Sequence, residues 1–187
     1  MQVVAETEKP DEVRLVVVGA EWSVRFAEER SRIAEALSGG AFDIRHIGST
    51  AIPGIIAKPI LDMAVAIHDF ESGHALVPAL VALGYTYRGE NGIPRRHYFE
   101  RGDIYHLHVF DQESLDWRRH LRFRDRLLAS PELARRYSEV KRFAARESGG
   151  EPCRFCPVIK PFARLRCMFV FHNGNECKHQ GNPRYGA

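Results

Sequence analysis

Hydrophobic and polar residues alternate most regularly in the segment ILDMAVAI, residues 60 to 67. Apolar residues occupy every second position there, which is the spacing that places side chains on one face of a β-strand. They are Leu61, Met63, Val65 and Ile67. Asp62 falls between them and is the one carboxylate in the run. We therefore predict a strand that buries one face and turns Asp62 toward the other.

Helical periodicity is found on both sides of this strand. One predicted helix spans residues 21–40 and ends at Gly39-Gly40. Another spans residues 69–84 and begins at Asp69, because an aspartate side chain caps the first amides of a helix. These two segments are expected to pack against the sheet.

The longest helical region covers residues 114–147 and divides at Ser130-Pro131, because serine caps a helix and proline suits its first position. The remaining β-rich segments are residues 14–20, 42–47, 85–90, 95–101 and 105–111. This order predicts an α/β (α+β) fold, in which helices flank a mixed sheet and a helical segment follows at the C-terminal end.

The composition is that of an ordinary globular protein. Of 187 residues, 44% are hydrophobic and 27% are charged, and the length suits one domain with a real core. The net charge of +3 is too small and dispersed to indicate nucleic-acid binding. No apolar run approaches the ~20 residues of a membrane helix, and the first residues lack the basic region of a secretory signal. We expect a cytoplasmic protein without a membrane partner.

A Gly48-Ser49 turn separates the 42–47 strand from the strand that carries Asp62. Glycine lets the backbone approach a phosphate closely, and serine offers a hydroxyl and an amide. A carboxylate supplies the hard oxygen ligand that Mg²⁺ prefers. The sequence therefore predicts one pocket suited to phosphate and metal chemistry.

The central segment HIGSTAIPGIIAKPILD resembles the GrpB family of the nucleotidyltransferase superfamily. That superfamily places Gly-Ser before a strand carrying Asp-x-Asp or Asp-x-Glu. Further segments match in order over roughly residues 21–147: EW..RF, GYTYRGENGIPRRHYF, HLHV and WRRHLRFRD. The resemblance implies a nucleotidyltransferase-like fold. By analogy, it implies transfer of a nucleoside monophosphate from a nucleoside triphosphate to an unknown acceptor with Mg²⁺.

Two positions depart from that pattern. Ala64 stands where the second carboxylate belongs, although nucleotidyl transfer normally uses two metal ions held by two or three carboxylates. Arg45 stands where the family more often has glutamate, and a cation beside the pocket would favour a phosphate over a metal. The alternative function is therefore a catalytically inactive nucleotide- or phosphate-binding module.

His106 and His108 alternate on a predicted strand and so share one face. With Asp62 they form a candidate metal-binding and catalytic set, in which one histidine is a second ligand or a base. The alternative interpretation, which the sequence favours equally, is a half-exposed pair of histidines on a sheet face with no role in a site. Lys58 and Arg96 are candidates to bind phosphate and to stabilise the leaving pyrophosphate, or else ordinary surface residues.

Three arginines repeat along one face of the long helical region: Arg118, Arg122 and Arg126. Such a row is typical of a solvated helix face, and it also suits a nucleic acid, a triphosphate or a protein partner. The resemblance singles out Arg122 and Asp125, within RFRD, and further along Lys141; of these, Arg122 and Lys141 are the candidate substrate-binding residues.

All four cysteines lie in the tail, residues 148–187, where the resemblance ends. Cys153 and Cys156 have the spacing of a zinc half-site, but Cys177-x-His179 is an unusual second half. We expect residues 1–147 to form the GrpB-like domain. The tail is expected to be poorly packed, free of zinc, free of disulfides and changed by a frameshift or an altered stop.

Overall fold

A computed structural model describes residues 13–37 and 42–148. Its helices are α1 (Glu21–Ala36), α2 (Val77–Ala82), α3 (Leu115–Ala129) and α4 (Pro131–Glu147). Its strands are β1 (Val16–Val17), β2 (Asp43–Ile47), β3 (Ile56–Ala57), β4 (Leu61–Ile67), β5 (Thr86–Tyr87), β6 (Arg96–Arg101) and β7 (Tyr105–Asp111). The predicted Gly39-Gly40 helix end and the tail from residue 149 onward lie outside this described part, and so do the packing and zinc predictions made for them.

A five-stranded sheet in the order β2-β4-β7-β6-β5 forms the centre of the fold. The central pair, β4 and β7, is parallel, and every other neighbouring pair is antiparallel. The mixed sheet with its helices confirms the predicted fold class. β1 and β3 pair separately as a two-stranded ribbon.

Local sequence signals explain where α3 and α4 begin. Ser114 accepts a hydrogen bond from the Trp117 amide at 3.1 Å, and Ser130 accepts one from the Leu133 amide at 3.3 Å. Pro131 occupies the first turn of α4, as predicted. Predicted residues 69–84 instead start as a 3-10 helix, Glu71–Leu76, and become α-helical at Val77.

The two faces of β4 are covered by different side chains. The alternating apolar residues Leu61, Met63, Val65 and Ile67 enter the larger core. Ala64 and Ala66 point to the other face, where they pack with Phe110 of β7 and Trp117 of α3. Asp62 shares that second face and is the one β4 residue that is not buried. No helix in the described ranges is long and apolar enough to cross a membrane.

Candidate active site

Asp62 lies at the start of β4, between the end of β2 and the start of β7. Its register partners are Ile47 on the β2 side and His106 on the β7 side. The Asp62 Oδ1 atom is 3.4 Å from His106 Nδ1 and 3.5 Å from His108 Nε2. The predicted convergence of this carboxylate with the two histidines is therefore present, and it comes from the parallel pairing of β4 with β7.

Arg96 determines which nitrogen of His108 carries the proton. The guanidinium Nη1 atom lies 3.2 Å from His108 Nδ1, and an arginine can only donate a hydrogen bond. His108 Nδ1 must therefore be the acceptor, so the neutral ring holds its proton on Nε2, toward Asp62. The remaining Arg96 donors bind the backbone oxygens of Glu90 and Asn91 at 2.8–3.2 Å. Arg96 thus positions the His108 ring.

Asp62 carries the negative charge around which His106 and His108 are arranged. Burial alone would raise the pKa of Asp62, but hydrogen bonds from His106 and His108 hold it well below its usual range. Burial lowers the pKa of His108 to about 4, although Asp62 opposes that shift. At neutral pH the pair is consequently an ionised carboxylate and a neutral imidazole.

Gly48 is required beside this carboxylate by both conformation and space. Its φ of 68° and ψ of −164° fall in a region that is essentially restricted to glycine. A Cβ atom at this position would lie 2.9 Å from Asp62 Cβ and would collide with Oδ2. The close approach predicted for Gly48 is therefore made first to the Asp62 side chain.

Ser49 follows Gly48 and contacts α4. Its Oγ atom accepts a hydrogen bond from Lys141 Nζ and lies 3.5 Å from the Tyr137 hydroxyl. Lys141 is only 4% exposed, and its ammonium group lies 4.7 Å from the Tyr137 ring centre. Burial lowers the pKa of Lys141 to about 7, while Asp62 opposes the shift and Lys58 adds to it. A long-range contact therefore places a buried amine on the Gly-Ser turn.

The other predicted positions are placed differently. Lys58 is half-buried just before β4, where its charge acts on Lys141. Arg122 is exposed on α3 and, within the part of the chain described, makes no hydrogen bond or ion pair. Arg45 pairs with Asp43 on the exposed edge of β2. We therefore define the Asp62 cluster as Asp62, His106, His108, Arg96, Gly48, Ser49 and Lys141.

Position 64, where the superfamily pattern has a second carboxylate, lies in a buried part of the sheet face. Ala64 is fully buried in the apolar cluster with Phe110 and Trp117. In residues 13–37 and 42–148, no three His, Cys, Asp or Glu side chains form a group that could hold a metal ion. Both histidines contact Oδ1 of Asp62, and Mg²⁺ is often bound by one carboxylate together with substrate phosphates, so a site for one Mg²⁺ at Asp62 stays a prediction.

Two histidines beside the cluster were missed from the sequence. His46 lies 3.1 Å from the Thr50 hydroxyl, which itself donates to the Ile60 carbonyl. His120 of α3 lies 2.7 Å from the Asp116 carbonyl through Nδ1 and faces the His108 ring at 5.7 Å. His46 precedes the Gly-Ser turn, so its position was a usable signal. Nothing local in the sequence indicates that His120 lies above β7.

The sheet, the Gly-Ser turn and the Asp62 strand define a nucleotidyltransferase-like fold. Cid1 poly(U) polymerase, solved with Mg and 3'-dATP bound, superposes with a TM-score of 0.54 over 81% of this chain and 51% of that chain. At 13% identity this similarity concerns the fold alone. A sequence model described as GrpB protein matches residues 12–162, and the chain belongs to the GrpB family.

Relatives within the family agree with this assignment. UPF0157 protein YqkA of Bacillus subtilis is 37% identical over 133 residues, which are 70% of this chain and 39% of that protein. The chain therefore spans less than half the length of this relative. The crystal structure of GrpB from Enterococcus faecalis, at 27% identity, has a TM-score of 0.74 over 83% of this chain and 98% of that one. The family match extends beyond the 21–147 span of the quoted motifs on both sides.

Proposed function

We propose that the Asp62 cluster binds a nucleoside triphosphate with Mg²⁺ and transfers its nucleoside monophosphate to an acceptor. The observation that carries this proposal is the meeting of three groups: the Asp62 carboxylate, the Gly48-Ser49 turn and the buried Lys141 amine. A carboxylate for a metal and a cation for phosphate are what a triphosphate needs on opposite sides. The fold shared with Cid1, a polymerase solved with a bound nucleotide, supports the choice of a nucleotide.

The phosphate groups are proposed to bind the Ser49 hydroxyl and Lys141, with Lys58 available from the loop before β4. Asp62 is the one carboxylate of the cluster, and its charge acts on Lys141, Arg96 and His108. Because Arg96, Lys141 and the nearby Lys58 outnumber that single anion, while His108 is neutral, the site suits a ligand with several negative charges. Asp62 would hold the Mg²⁺, which neutralises the triphosphate when bound.

His106 is the proposed base for the acceptor hydroxyl. Its Nδ1 atom faces the ionised Asp62, so the proton lies on Nδ1 and Nε2 retains its lone pair. Its side chain is 25% exposed, which leaves the ring accessible from solvent. An imidazole oriented by a carboxylate in this way can accept a proton from a bound hydroxyl group.

An inactive binding module is the second candidate, and the burial of Ala64 favours it. Position 64 offers no ligand for a second ion, because it holds an alanine whose Cβ atom is enclosed by the apolar cluster. His108 keeps its Nε2 proton while Arg96 occupies Nδ1, so it is a poor metal ligand. Such a module would bind a nucleotide through its phosphates without transferring any part of it.

Pyrophosphate release separates the two candidates. The full chain is incubated with Mg²⁺ and each of the four common nucleoside triphosphates, alone and with small hydroxyl acceptors. Transfer requires release that the wild type shows and Asp62→Asn lacks. Asp69→Asn, at an exposed position beyond the opposite end of β4, is the matched control and should keep the wild-type rate. Binding without release in any mixture would favour the inactive module.

A further inference from the structure

We propose that His46 is a positioning residue for the bound triphosphate, and that it acts through the Thr50 hydroxyl to fix the Gly48-Ser49 turn against the Asp62 strand. This inference rests on the proposed function and names a residue that joins the phosphate side of the site to its metal side. The register partner of His46 is Met63, whose side chain lies in the larger core, so His46 is on the sheet face opposite Asp62. Its effect on a ligand must therefore pass through other residues.

The hydrogen bonds of Thr50 determine which His46 nitrogen carries the proton. The Thr50 hydroxyl donates to the Ile60 carbonyl at 2.9 Å, and the same Oγ1 atom lies 3.1 Å from His46 Nε2. A hydroxyl has one proton to donate, so Thr50 must accept its second hydrogen bond from the imidazole. Burial lowers the pKa of His46 to about 4, so the ring is neutral at pH 7. The neutral ring therefore holds its single proton on Nε2.

These two hydrogen bonds connect the two segments between which the triphosphate is proposed to bind. Thr50 directly follows Ser49, whose hydroxyl we propose as a phosphate ligand, and Ile60 comes two residues before Asp62. The chain between Thr50 and Ile60 consists mostly of turns and bends, with the short strand β3 among them. A side-chain link across this segment therefore sets the distance between the Ser49 hydroxyl and the Asp62 carboxylate more directly than the chain itself.

Contacts from two helices hold His46 in place. The Phe26 ring of α1 stacks on the imidazole, with 4.9 Å between the ring centres and an angle of 17° between the planes. From α3, Arg124 Nη1 donates to the His46 carbonyl at 3.1 Å. A donor whose ring and backbone are both held loses little freedom when a ligand binds, which is the general advantage of a preorganised site. The link is therefore in place before the triphosphate arrives.

The burial of polar atoms at Thr50 favours a positioning role over simple packing. Thr50 is 2% exposed, and a buried hydroxyl costs free energy unless it is hydrogen-bonded. Valine has nearly the same shape and would fill this space without that cost. The hydroxyl, by contrast, is satisfied only while both His46 and the Ile60 carbonyl stay within reach. The threonine therefore specifies one arrangement of the turn, which an apolar side chain would not.

Nitrogen NMR of the histidine rings tests this link without any nucleotide. The full chain is isotope-labelled in its histidine rings and measured at pH 7 in EDTA, and the His46 signals are assigned by their loss in His46→Phe. We expect a neutral His46 ring with its proton on Nε2. A proton on Nδ1, or rapid exchange between the two tautomers, would overturn the inference.

Titration with inorganic triphosphate and with each common nucleoside triphosphate, in Mg²⁺ and in EDTA, tests the effect on binding. The inorganic probe reports on the phosphate and metal groups alone, because it carries no base. Mg²⁺ should tighten wild-type binding about tenfold, and Thr50→Val should reduce that gain to about twofold or less, since Ser49 and Asp62 are then no longer held together. Thr50→Ser keeps the hydroxyl and should restore the gain. His46→Phe keeps a stacked ring without the donor, so it should behave like Thr50→Val.

Tyr85→Phe is the matched control for the loss of a buried hydroxyl. Tyr85 is 2% exposed, donates to Glu29 at 2.9 Å and lies just before β5, at the sheet edge opposite β2. This variant should lose stability toward urea but keep the full Mg²⁺ effect. An equal reduction of the Mg²⁺ effect in Tyr85→Phe would overturn the inference, because lost stability alone would then explain it.

The same titrations separate this inference from the proposed function. Wild type that binds a triphosphate, together with an unchanged Mg²⁺ effect in folded Thr50→Val or folded His46→Phe, would overturn the inference and leave the proposed function standing. Wild type that binds neither inorganic triphosphate nor any common nucleoside triphosphate would reject the proposed function, and this inference with it.

Discussion

One carboxylate oxygen receives two imidazoles at the centre of the site. His108 cannot rotate freely to serve as a metal ligand, because Arg96 fixes its Nδ1 atom and is itself bound to two backbone oxygens. Among the residues that the structure describes, none makes a hydrogen bond to the outer nitrogen of His106. Two histidines that look equivalent in the sequence therefore differ: Arg96 fixes the ring of His108 beside Asp62, whereas His106 is the one that we propose as the base for an acceptor.

Gly48 should not tolerate a side chain, because Asp62 lies directly against it. Gly48→Ala forces a side chain into a glycine-only conformation and into Asp62, so we expect it to destabilise the fold by about 2–3 kcal/mol and to weaken nucleotide binding. Gly89→Ala is the matched control, because Gly89 has a similar φ of 63° with open space around it. Urea unfolding should show a smaller loss of about 1 kcal/mol for the control, with binding unchanged. Equal effects of both variants on binding would contradict the account.

Neutral histidines make the folded protein sensitive to acid. Burial lowers the pKa of His46 and of His108 to about 4, whereas both are near 6.5 in the unfolded chain. Between pH 6.5 and 4 the unfolded state therefore binds more protons, and the free energy of unfolding should fall as the pH falls through that window.

Urea unfolding in EDTA across this pH range is the check. His46→Gln should flatten the profile by about 1 kcal/mol or more, since each pKa unit corresponds to about 1.4 kcal/mol. His68→Gln, at an exposed position, should leave the profile unchanged. A profile for His46→Gln that follows the wild type would show that this imidazole is not held neutral.

One face of β4 begins with the polar residue Asp62 and continues with the apolar residues Ala64 and Ala66. Asp62 is partly accessible, but two positions later Ala64 is covered by α3 through Trp117. The strand alternation that predicted the orientation of Asp62 also placed residue 64 on the same face. It could not reveal that a helix 50 residues further along closes that position, because the packing of α3 is decided by tertiary contacts.

Ala64→Asp tests whether the second carboxylate can simply be restored. We expect a loss of about 3 kcal/mol or more in the free energy of unfolding, because a charge would be buried in an apolar cluster. No increase in pyrophosphate release should accompany it. Ala82→Asp, on the exposed end of α2, is the matched control and should change stability by less than about 1 kcal/mol. A stable Ala64→Asp protein that releases pyrophosphate faster than wild type would contradict this description of the second face.

Local patterns in the sequence were sufficient for the strand that carries Asp62, for the break between α3 and α4 at Ser130 and for the shared face of the two histidines. Each depends on a short-range rule. The pairing of Lys141 with Ser49 joins residues 92 positions apart, and only the family resemblance had marked Lys141. The link from Arg124 to the His46 carbonyl, which also ties α3 to β2, had no local signal.

The site depends on two sets of contacts between segments that are far apart in the sequence. Parallel pairing of β4 with β7 brings His106 opposite Asp62, although more than 40 positions separate them in the chain. α4 then packs against the segment between β2 and β4, where the Ser138 hydroxyl accepts a hydrogen bond from the Ile56 amide of β3 at 3.2 Å and Lys141 donates one to Ser49. Residues that lie as far apart in the sequence as Gly48 and Lys141 therefore meet at one cluster, and the isolated segments should not retain it.

The central claim is that Asp62 holds Mg²⁺ beneath a bound triphosphate. Isothermal titration of the full chain with each nucleoside triphosphate, in Mg²⁺ and in EDTA, tests it with wild type and Asp62→Asn. We expect at least one triphosphate to bind wild type about tenfold more tightly in Mg²⁺, a difference of about 1.4 kcal/mol that Asp62→Asn should abolish. Superimposable curves for both proteins, with and without Mg²⁺, would contradict the account, as would tighter binding by Asp62→Asn in both buffers.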